Sequence, residues 1–374
     1  MVVPVGVESL IRRTFSGEAR AVSYQRPGDW AVARVQLVGA ELESAVLKWV
    51  RSDRNGWRTE PQRLITEVIG LQFVHELAPG LVPQVLGFEL NDQDGGIVLL
   101  EDLTPRIPLY AAIRDRGAAA TTAVRGAFAR AMGRLAACTA GHDHEFGRRL
   151  GSDVAGSPDA SRVGVLGQPW ARMRPLIESF GVSVSAEAEH ERSRLHALLA
   201  EPGPFLTLSN GDMATNNFMI TPGESDDGRL IDFESAHFDH ALAHVANFFV
   251  PGPPWMVIND PIAADLDHQF RTALAAGVPE AADDELYDEG VAAGCVAMGF
   301  ERCGNLPTMD RRPPGDQSRA QRVLTLESAA READRRGHWP ALAGLHRDLA
   351  AALRRRWPDV TDTLATLPPY APRG

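Results

Sequence analysis

The sequence predicts an α+β fold in two parts, a small antiparallel sheet followed by a larger and mainly helical region. Two observations predict it: short runs of alternating apolar residues surround one helical pattern near the N-terminus, and long alanine- and arginine-rich helical patterns follow. The 374 residues are also more than one hydrophobic core usually serves. We therefore expect a small N-terminal unit over residues 1–101 and a larger unit over residues 102–374.

The N-terminal unit is predicted to be an antiparallel meander with one helix. Pro27-Gly28-Asp29 and Gly39-Ala40 provide turns between its first three strands. Apolar residues at helical spacing then predict a helix over 60–77, which ends at Ala78-Pro79-Gly80. The predicted strands cover residues 18–26, 30–38, 44–51, 84–90 and 96–101.

The larger unit is predicted to be helical except for one hairpin. Its hairpin strands cover 205–209, 218–220 and 229–232, around a polar loop that begins at Asn210. The predicted helices cover residues 119–139, 186–199, 236–249, 284–301, 317–336 and 339–356.

Composition excludes several classes of function. The formal net charge is −11 and no basic run is present, so a nucleic-acid partner is not expected. No stretch approaches the ~20 apolar residues that span a bilayer, which predicts a cytoplasmic protein without a membrane partner. The three cysteines lack metal-binding spacing, so we expect reduced thiols. The sequence does not indicate an oligomeric state.

Lysine usage singles out one residue. Of the 38 basic residues, 37 are arginine and only Lys48 is lysine. A compact ammonium differs from a planar guanidinium in size and hydrogen-bonding geometry, so a lysine kept against this bias is a candidate for a functional site. A strand residue that survived by chance is the alternative.

Oxygen ligands are concentrated in the predicted hairpin. Asp212 and Asn217 lie in the loop, and Asp232 lies at the end of the last hairpin strand. Carboxylate and amide oxygens are ligands that Mg²⁺ accepts, and a further carboxylate can deprotonate an attacking hydroxyl. Capped turns often contain aspartate and asparagine at this spacing, which is the alternative interpretation of the motif.

These motifs resemble those of the aminoglycoside phosphotransferase and choline kinase family, whose fold is that of the protein kinases. The resemblance implies a two-lobed fold and an ATP- and Mg²⁺-dependent transfer of phosphate to a hydroxyl. It implies that Asp212 is the catalytic base and that Asn217 and Asp232 hold the metal. It further implies that Lys48 contacts the ATP phosphates, that Glu67 orients Lys48, and that Glu101 and Leu103 form a hinge that binds adenine. Glu60 is a rival for the role of Glu67.

The sequence also departs from the family pattern. Asn210 replaces a common histidine, and Ala243 lies where an aspartate is common. The loop near Pro27-Gly28-Asp29 is not glycine-rich, so GTP stays open as the donor. The family suggests an antibiotic, a sugar-like or a nucleoside-like acceptor. A kinase-shaped binding protein without activity is the alternative function, and a metal-dependent hydrolase is a third.

Other motifs are weaker candidates. His142-Asp143-His144 looks like a metal cluster, but adjacent side chains point apart. His237, His240 and His244 follow Asp232 at helical spacing, which favours a capped or core-facing helix over a contact with substrate or phosphate. An acidic stretch over 283–289 could attract a cationic acceptor or could be a solvated helix start.

Overall fold

An antiparallel sheet and two helices form the N-terminal part of the protein, and the remainder is mainly helical with two small sheets. The computed structural model describes residues 4–26, 31–50, 61–90, 96–151, 170–222, 228–251 and 262–366. The predicted α+β fold class, with a sheet lobe followed by a mostly helical lobe, is confirmed. The turn at Pro27-Gly28-Asp29 lies outside the described residues.

The N-terminal sheet has the strand order β1-β2-β3-β5-β4, and all of its pairs are antiparallel. Its strands lie within a few residues of the predicted ones. The elements of this part are α1 (Val7–Thr14), β1 (Arg20–Gln25), β2 (Val32–Val38), β3 (Ser44–Trp49), α2 (Pro61–Leu77), β4 (Val85–Glu89) and β5 (Ile97–Glu101).

Strand β3 lies at the centre of this sheet and has two different faces. Ala45 and Leu47 are buried in a small core that α1 completes from one side. Because successive side chains alternate across a strand, Val46 and Lys48 point to the other face, where Val46 packs against the core that includes α2. The alternation therefore places the single lysine between the sheet and α2.

The C-terminal part contains short strands set among helices. Strands β6, β8 and β9 form one antiparallel sheet, and β7 pairs with β10 in another. The elements are β6 (Ile107–Pro108), α3 (Leu109–Ala120), α4 (Thr122–Thr139), α5 (Asp143–Leu150), α6 (Trp170–Ser179), α7 (Ala186–Ala200), β7 (Leu206–Ser209), β8 (Phe218–Ile220), β9 (Gly228–Leu230), β10 (His237–His240), α8 (Ala246–Phe249), α9 (Ile262–Leu274), α10 (Asp284–Cys303), α11 (Leu306–Asp310), α12 (Gln317–Arg336), α13 (Pro340–Arg356) and α14 (Val360–Thr366).

The predicted helix over 236–249 is wrong. His237–His240 forms strand β10, Ala241–Val245 is a 3-10 turn, and only Ala246–Phe249 is α-helical. Strand β7 needs a partner for its backbone groups, and pairing with β10 supplies it from a segment distant in sequence. This tertiary pairing outweighs the helical preference of the alanine-rich segment.

Two further hydrophobic cores are larger than the small core that α1 covers. The first lies at the junction of the two parts and joins α2, β5, α4, the hairpin strands and α9. The second is built from α6, α7, α10, α12, α13 and α14. Cys295 and Cys303 are buried in these cores and Cys138 is partly buried, and none of the three forms a disulfide with a described residue. In the part of the chain that the structure describes, no helix has the length and apolar character needed to cross a membrane.

Candidate active site

Lys48 and Glu67 form an ion pair between β3 and α2. The Lys48 Nζ atom lies 3.0 Å from the Glu67 Oε2 atom, and only 2% of the Glu67 side chain is exposed. Burial raises the pKa of the Glu67 carboxyl, and the charge of Lys48 acts against that rise. The structure thus brings together the lysine and the helical glutamate that the sequence paired. The rival Glu60 lies outside the described residues.

The same ammonium also reaches two carboxylates of the C-terminal part. Lys48 Nζ lies 2.6 Å from Asp232 Oδ1 and 3.3 Å from Glu234 Oε2. Burial lowers the pKa of Lys48, but Glu67, Asp232 and Glu234 together raise it above its ordinary value. Lys48 is therefore a fixed positive charge that connects the sheet lobe to the segment after β9.

Asp232 has an uncommon backbone conformation that its neighbours hold in place. Its φ is 64°, in the left-handed region that aspartate tolerates better than most residues. Strand β9 ends at Leu230, so Asp232 lies two residues beyond it and not at its end. Ile231 N donates to Asn217 O at 3.0 Å, and Asn210 Nδ2 donates to Ile231 O at 2.9 Å. These bonds fix the peptide that aims Asp232 at Lys48.

We call residues 210–217, between β7 and β8, the Asp212 loop. Asp212 N donates to Asn210 Oδ1 at 3.1 Å, so Asn210 both donates and accepts where the family often has histidine. Asn217 Nδ2 donates to Asp212 O at 2.9 Å and to Asp212 Oδ2 at 3.0 Å. The two residues that the sequence pairs at a spacing of five are therefore in direct contact, and Asn217 orients the Asp212 carboxylate.

Gly211 gives the Asp212 loop its sharp turn. Its φ is +85°, and a Cβ atom there would lie 2.4 Å from Ser235 O. Both the left-handed conformation and the close backbone approach exclude a side chain. The glycine therefore lets Asp212 lie directly against the segment that carries Asp232 and Ser235.

The electrostatic surroundings of Asp212 favour proton uptake. Burial, and next the negative charge of Asp232, raise the pKa of the Asp212 carboxyl, while hydrogen bonds from Asn217 and Asn216 act in the other direction. A general base works best when its pKa is moved towards the working pH. Asp212 has the surroundings of such a base.

The predicted hinge follows β5 directly. Glu101 N donates to Gln84 O at 2.9 Å, and Leu103 O accepts from Arg106 N at 2.8 Å. Among the described residues, no backbone carbonyl accepts a hydrogen bond from Leu103 N, and main-chain groups of Glu101 and Leu103 are those that the family resemblance assigns to adenine. Asp102 lies between Glu101 and Leu103. Its carboxylate accepts hydrogen bonds from Arg34 Nε on β2 and Ser44 Oγ on β3, each at 2.5 Å, and these bonds connect the hinge to both strands.

Three carboxylates could hold a metal ion. Within the described ranges, oxygen atoms of Glu67, Asp232 and Glu234 lie within 4.8 Å of one another. Carboxylate oxygens are hard ligands, so this donor set fits Mg²⁺ better than a soft metal. Asn217 Oδ1 accepts one hydrogen bond, from Asn216 Nδ2 at 2.9 Å, and the second lone pair of this amide oxygen is left for a metal ion.

Asn247 supports the Asp212 loop but is not part of any motif in the sequence. Asn247, on α8, donates from Nδ2 to Met213 O at 3.0 Å. Ala243, where the family often has an aspartate, is fully buried and has no polar side chain that could do this. Asn247 is the only polar residue in the run 245–250, which is the one sequence signal that could have identified it.

The histidines after Asp232 do not share a helix face as the sequence suggested. His237 and His240 lie on β10, and His244 lies in the 3-10 turn. Asp239 Oδ2 lies 3.6 Å from His237 Nε2 and 4.0 Å from His244 Nε2. Burial would raise the pKa of Asp239, but the two histidines lower it to about 2. His240 stacks on Phe205 with 5.6 Å between ring centroids, so all three histidines contact other residues of the fold.

Comparison with known proteins gives one family match. The model of the phosphotransferase enzyme family matches residues 25–289, which is well over half of the chain and contains every candidate site residue. No curated protein sequence matches significantly.

Several solved structures are similar to this chain at low sequence identity. The GDP complex of an aminoglycoside 2′-phosphotransferase is 12% identical, with a TM-score of 0.48 over 87% of this chain and 96% of that chain. A GDP and kanamycin complex of another aminoglycoside phosphotransferase is 12% identical, with a TM-score of 0.49 over 89% and 99%. Plasmodium vivax ethanolamine kinase is 10% identical, with a TM-score of 0.46 over 80% and 79%.

The extent of the family match shows to which family the chain belongs. It begins in β1, crosses the Asp212 loop and the Asp232 segment, and ends within α10. The chain therefore belongs to the phosphotransferase enzyme family.

Proposed function

We propose that this protein transfers the γ-phosphate of ATP, or of GTP, to a hydroxyl group of a small-molecule acceptor. The acceptor would be an antibiotic, a sugar-like or a nucleoside-like compound, and the nucleotide would lie between the units 1–101 and 102–374. One observation carries the proposal: Lys48 bridges Glu67, Asp232 and Glu234 beside the hydrogen-bonded pair Asp212 and Asn217.

Lys48 and the hinge would bind the nucleotide. A protonated lysine held by three carboxylates is a rigid point charge for the α- and β-phosphates. The backbone of Glu101 and Leu103 would bind the base, and the lack of a backbone acceptor for Leu103 N among the described residues supports this role. Adenine and guanine differ in the donors they present to such a backbone, so the hinge would also decide between ATP and GTP.

Asn217 and Asp232 would hold Mg²⁺, with Glu234 as a further oxygen ligand. When bound, the ion would neutralise charge on the phosphate oxygens. The local chemistry fits, because Asp232 and Glu234 belong to the cluster of carboxylates that surrounds Lys48.

Asp212 would act on the acceptor. Its carboxylate would accept the hydroxyl proton while the hydroxyl oxygen forms a bond to the γ-phosphorus and the bond to the bridging oxygen of the nucleoside diphosphate breaks. Asn217 would keep the carboxylate oriented during this step. Most of the rate enhancement would come from positioning, because phosphoryl transfer requires little covalent work from the protein.

The test is nucleotide-dependent turnover with a panel of acceptors. Release of ADP or GDP is measured with antibiotics, sugars, nucleosides and amino alcohols in the presence of Mg²⁺. Replacement Asp212→Asn keeps the size of the side chain and removes the base, so we expect kcat to fall about 10²- to 10⁴-fold. Asp334→Asn, at an exposed carboxylate that pairs with Arg347, is the matched control and should leave turnover unchanged.

Two outcomes would contradict the proposal. Phosphate release without any acceptor would indicate a hydrolase that uses the same acids. Nucleotide binding without turnover, in the wild type and across a wide panel, would favour the kinase-shaped binding protein.

A further inference from the structure

One face of strand β3 leads from Lys48 to the hinge. Lys48 and Ser44 lie on the face opposite to the small core under α1, where Ala45 is buried. Ser44 lies four residues before Lys48 on the strand, which corresponds to about 13 Å. Because β3 and β5 pair Ala45 with Glu101, the hinge follows at the Ser44 end of this face. A nucleotide with its phosphates at Lys48 and its purine base at the hinge would lie along it.

Arg34 lies on the same face of the sheet, on the neighbouring strand β2. It pairs in register with Val46, and paired residues of antiparallel strands project from the same face. Its Nη2 atom donates to Ser44 Oγ at 3.3 Å, and its Nε atom donates to Asp102 Oδ2 at 2.5 Å. The guanidinium is therefore directed across β3 to the hinge.

Asp102 accepts four hydrogen bonds, and its side chain is only 7% exposed. Its Oδ2 atom accepts from Arg34 Nε and Ser44 Oγ, each at 2.5 Å. Its Oδ1 atom accepts from Thr104 N at 3.0 Å and from Thr104 Oγ1 at 2.8 Å. Burial alone would raise the pKa of the Asp102 carboxyl, but these hydrogen bonds hold it below its ordinary value. The carboxylate is a fixed negative charge that connects two strands of the sheet to the segment after the hinge.

The backbone of Asp102 joins the two groups that would bind the purine base. Its Cα atom lies between the peptide that carries Glu101 O and the peptide that carries Leu103 N, and each peptide is planar. Glu101 is held from the other side, because its N atom donates to Gln84 O at 2.9 Å and its Oε2 atom accepts from Gln84 N at 3.1 Å. With Asp102 and Glu101 both held, the directions of these two backbone groups are fixed.

We propose that Asp102 is a positioning residue for the purine base of the donor nucleotide and that Arg34 and Ser44 hold it in place. This inference rests on the proposed kinase function and identifies the side chains that orient the nucleotide-binding backbone. An asparagine cannot replace Asp102, because its single oxygen accepts either from Arg34 and Ser44 or from Thr104. The replacement should therefore release the hinge at one of its two attachments.

Nucleotide binding tests the inference without knowledge of the acceptor. Isothermal titration calorimetry would measure the Kd of non-hydrolysable ATP and GTP analogues, each with Mg²⁺. Asp102→Asn should raise the Kd of the analogue that the wild type binds more tightly by about 10- to 100-fold, as expected for lost hydrogen bonds to a charged group. With an acceptor in hand, the nucleotide KM should rise while kcat at saturating nucleotide and the acceptor KM stay within about twofold.

A double replacement shows whether Arg34 acts through Asp102. Arg34→Gln should weaken nucleotide binding, and Arg34→Lys should recover part of the loss because it keeps the charge. Since the two side chains share one contact, Arg34→Gln combined with Asp102→Asn should weaken binding no more than the stronger single replacement. Effects that add in full would mean that Arg34 contacts the nucleotide itself and would overturn the inference.

The matched control is Glu89→Gln on β4 of the same sheet. Glu89 pairs with Arg13 at 2.5 Å and is about half exposed, so the variant removes the same charge away from the hinge. It should leave both Kd values unchanged, and thermal unfolding should show which variants are folded. If Asp102→Asn does not fold, Ser44→Ala takes its place, because it removes one of the four hydrogen bonds and should raise the Kd about 3- to 10-fold.

Three outcomes decide against the inference or against its basis. An unchanged Kd in folded Asp102→Asn, or in Ser44→Ala where Asp102→Asn is unfolded, overturns the inference and leaves the kinase function standing. A fall in kcat at saturating nucleotide also overturns it, because the defect would then lie at the phosphates or the acceptor. Failure of both analogues to bind to the wild type would instead count against the proposed function.

Discussion

Lys48 occupies a position that suits an ammonium and not a guanidinium. Its Nζ atom lies within 3.3 Å of oxygen atoms from three different carboxylates, on two different parts of the chain. A tetrahedral ammonium can donate in three separate directions from one atom, whereas a guanidinium donates within one plane. The geometry gives a physical reason for a single lysine among 38 basic residues.

Replacement Lys48→Arg tests this reason directly. The charge is kept, so Glu67 does not become an unpaired buried acid, and we expect the free energy of unfolding to change little. The planar group should misplace the donor phosphates, and kcat/KM for nucleotide should fall about 100-fold. Steady-state kinetics and chemical denaturation would measure the two quantities.

The control for Lys48→Arg is the opposite replacement, arginine to lysine, at the nearby residue Arg63. Arg63 contacts Glu234 at 3.4 Å and is about half exposed, so Arg63→Lys alters the same carboxylate from the solvent side. It should leave kcat/KM within about twofold, because an exposed ion pair contributes little. Wild-type kinetics in Lys48→Arg would show that the lysine is not required.

Part of the candidate site could be predicted from residue spacing together with the family resemblance. Motifs in kinase order identified the residues that the structure brings together, namely Lys48, Glu67, Asp212, Asn217 and Asp232. Asn247 could not be found this way. It contacts the Asp212 loop from a helix further along the chain, and spacing in the sequence does not show which turn of a helix will face a loop after packing.

At the scale of elements, α10 is pressed against the 3-10 turn that precedes α8. A Cβ atom on Gly294 would lie 2.6 Å from Ala243 Cα and 2.9 Å from Ala243 O. These are backbone atoms, so the contact cannot be relieved by a change of rotamer. The same turn leads into α8, where Asn247 supports the Asp212 loop.

We therefore expect Gly294→Ala to disturb both stability and the site. The added methyl group should separate α10 from the turn, lower the free energy of unfolding by about 1–3 kcal/mol and reduce kcat by moving Asn247 away from Met213. Urea denaturation and turnover would measure these effects. Gly344→Ala on α13 is the matched control, because its Cβ would meet only Arg347 Nη2 at 3.7 Å. That variant should be about 0.5–1 kcal/mol more stable, as expected for alanine within a helix.

Helices and strands could be predicted where the local sequence pattern and the tertiary packing favour the same secondary structure. The sheet lobe and the long helices α10, α12 and α13 have strong periodic patterns, and their observed bounds differ from the predicted ones by at most a few residues. The segment 236–249 failed because its composition favours a helix while its position beside β7 requires a strand. Strand pairing between distant segments is decided by the whole fold, which single-sequence patterns do not contain.

At the scale of the whole molecule, a large part of the C-terminal core lies beyond the family match. The match ends at residue 289, whereas the second core continues through α12, α13 and α14. This core buries His346, whose Nδ1 atom lies 2.8 Å from Leu342 O. Its ring lies 4.3 Å from the Phe300 ring between centroids, and a Cβ on Gly299 would meet its Nε2 atom at 2.2 Å. A second proton on this ring would place a positive charge inside the core, away from water.

His346 should therefore make the protein sensitive to acid. Burial lowers its pKa to about 4, below the value of about 6.5 in an unfolded chain. The group's stabilising contribution is complete above pH 6.5 and is lost as the pH falls towards 4, because the unfolded chain then binds a proton that the native state does not. The loss should reach about 2 kcal/mol at pH 5.

Replacement His346→Asn keeps a donor for Leu342 O and removes the titrating group. Urea denaturation at pH 7.5 and pH 5 should show that the drop in unfolding free energy is about 2 kcal/mol smaller in this variant than in the wild type. His240 is also buried with its pKa lowered to about 4, so some acid sensitivity should remain. His190→Asn, at an exposed helix position, should leave the drop unchanged. An equal drop in wild type and His346→Asn would mean that the second core accepts a charged imidazole, and its packing around Phe300 would then have to be looser than the structure shows.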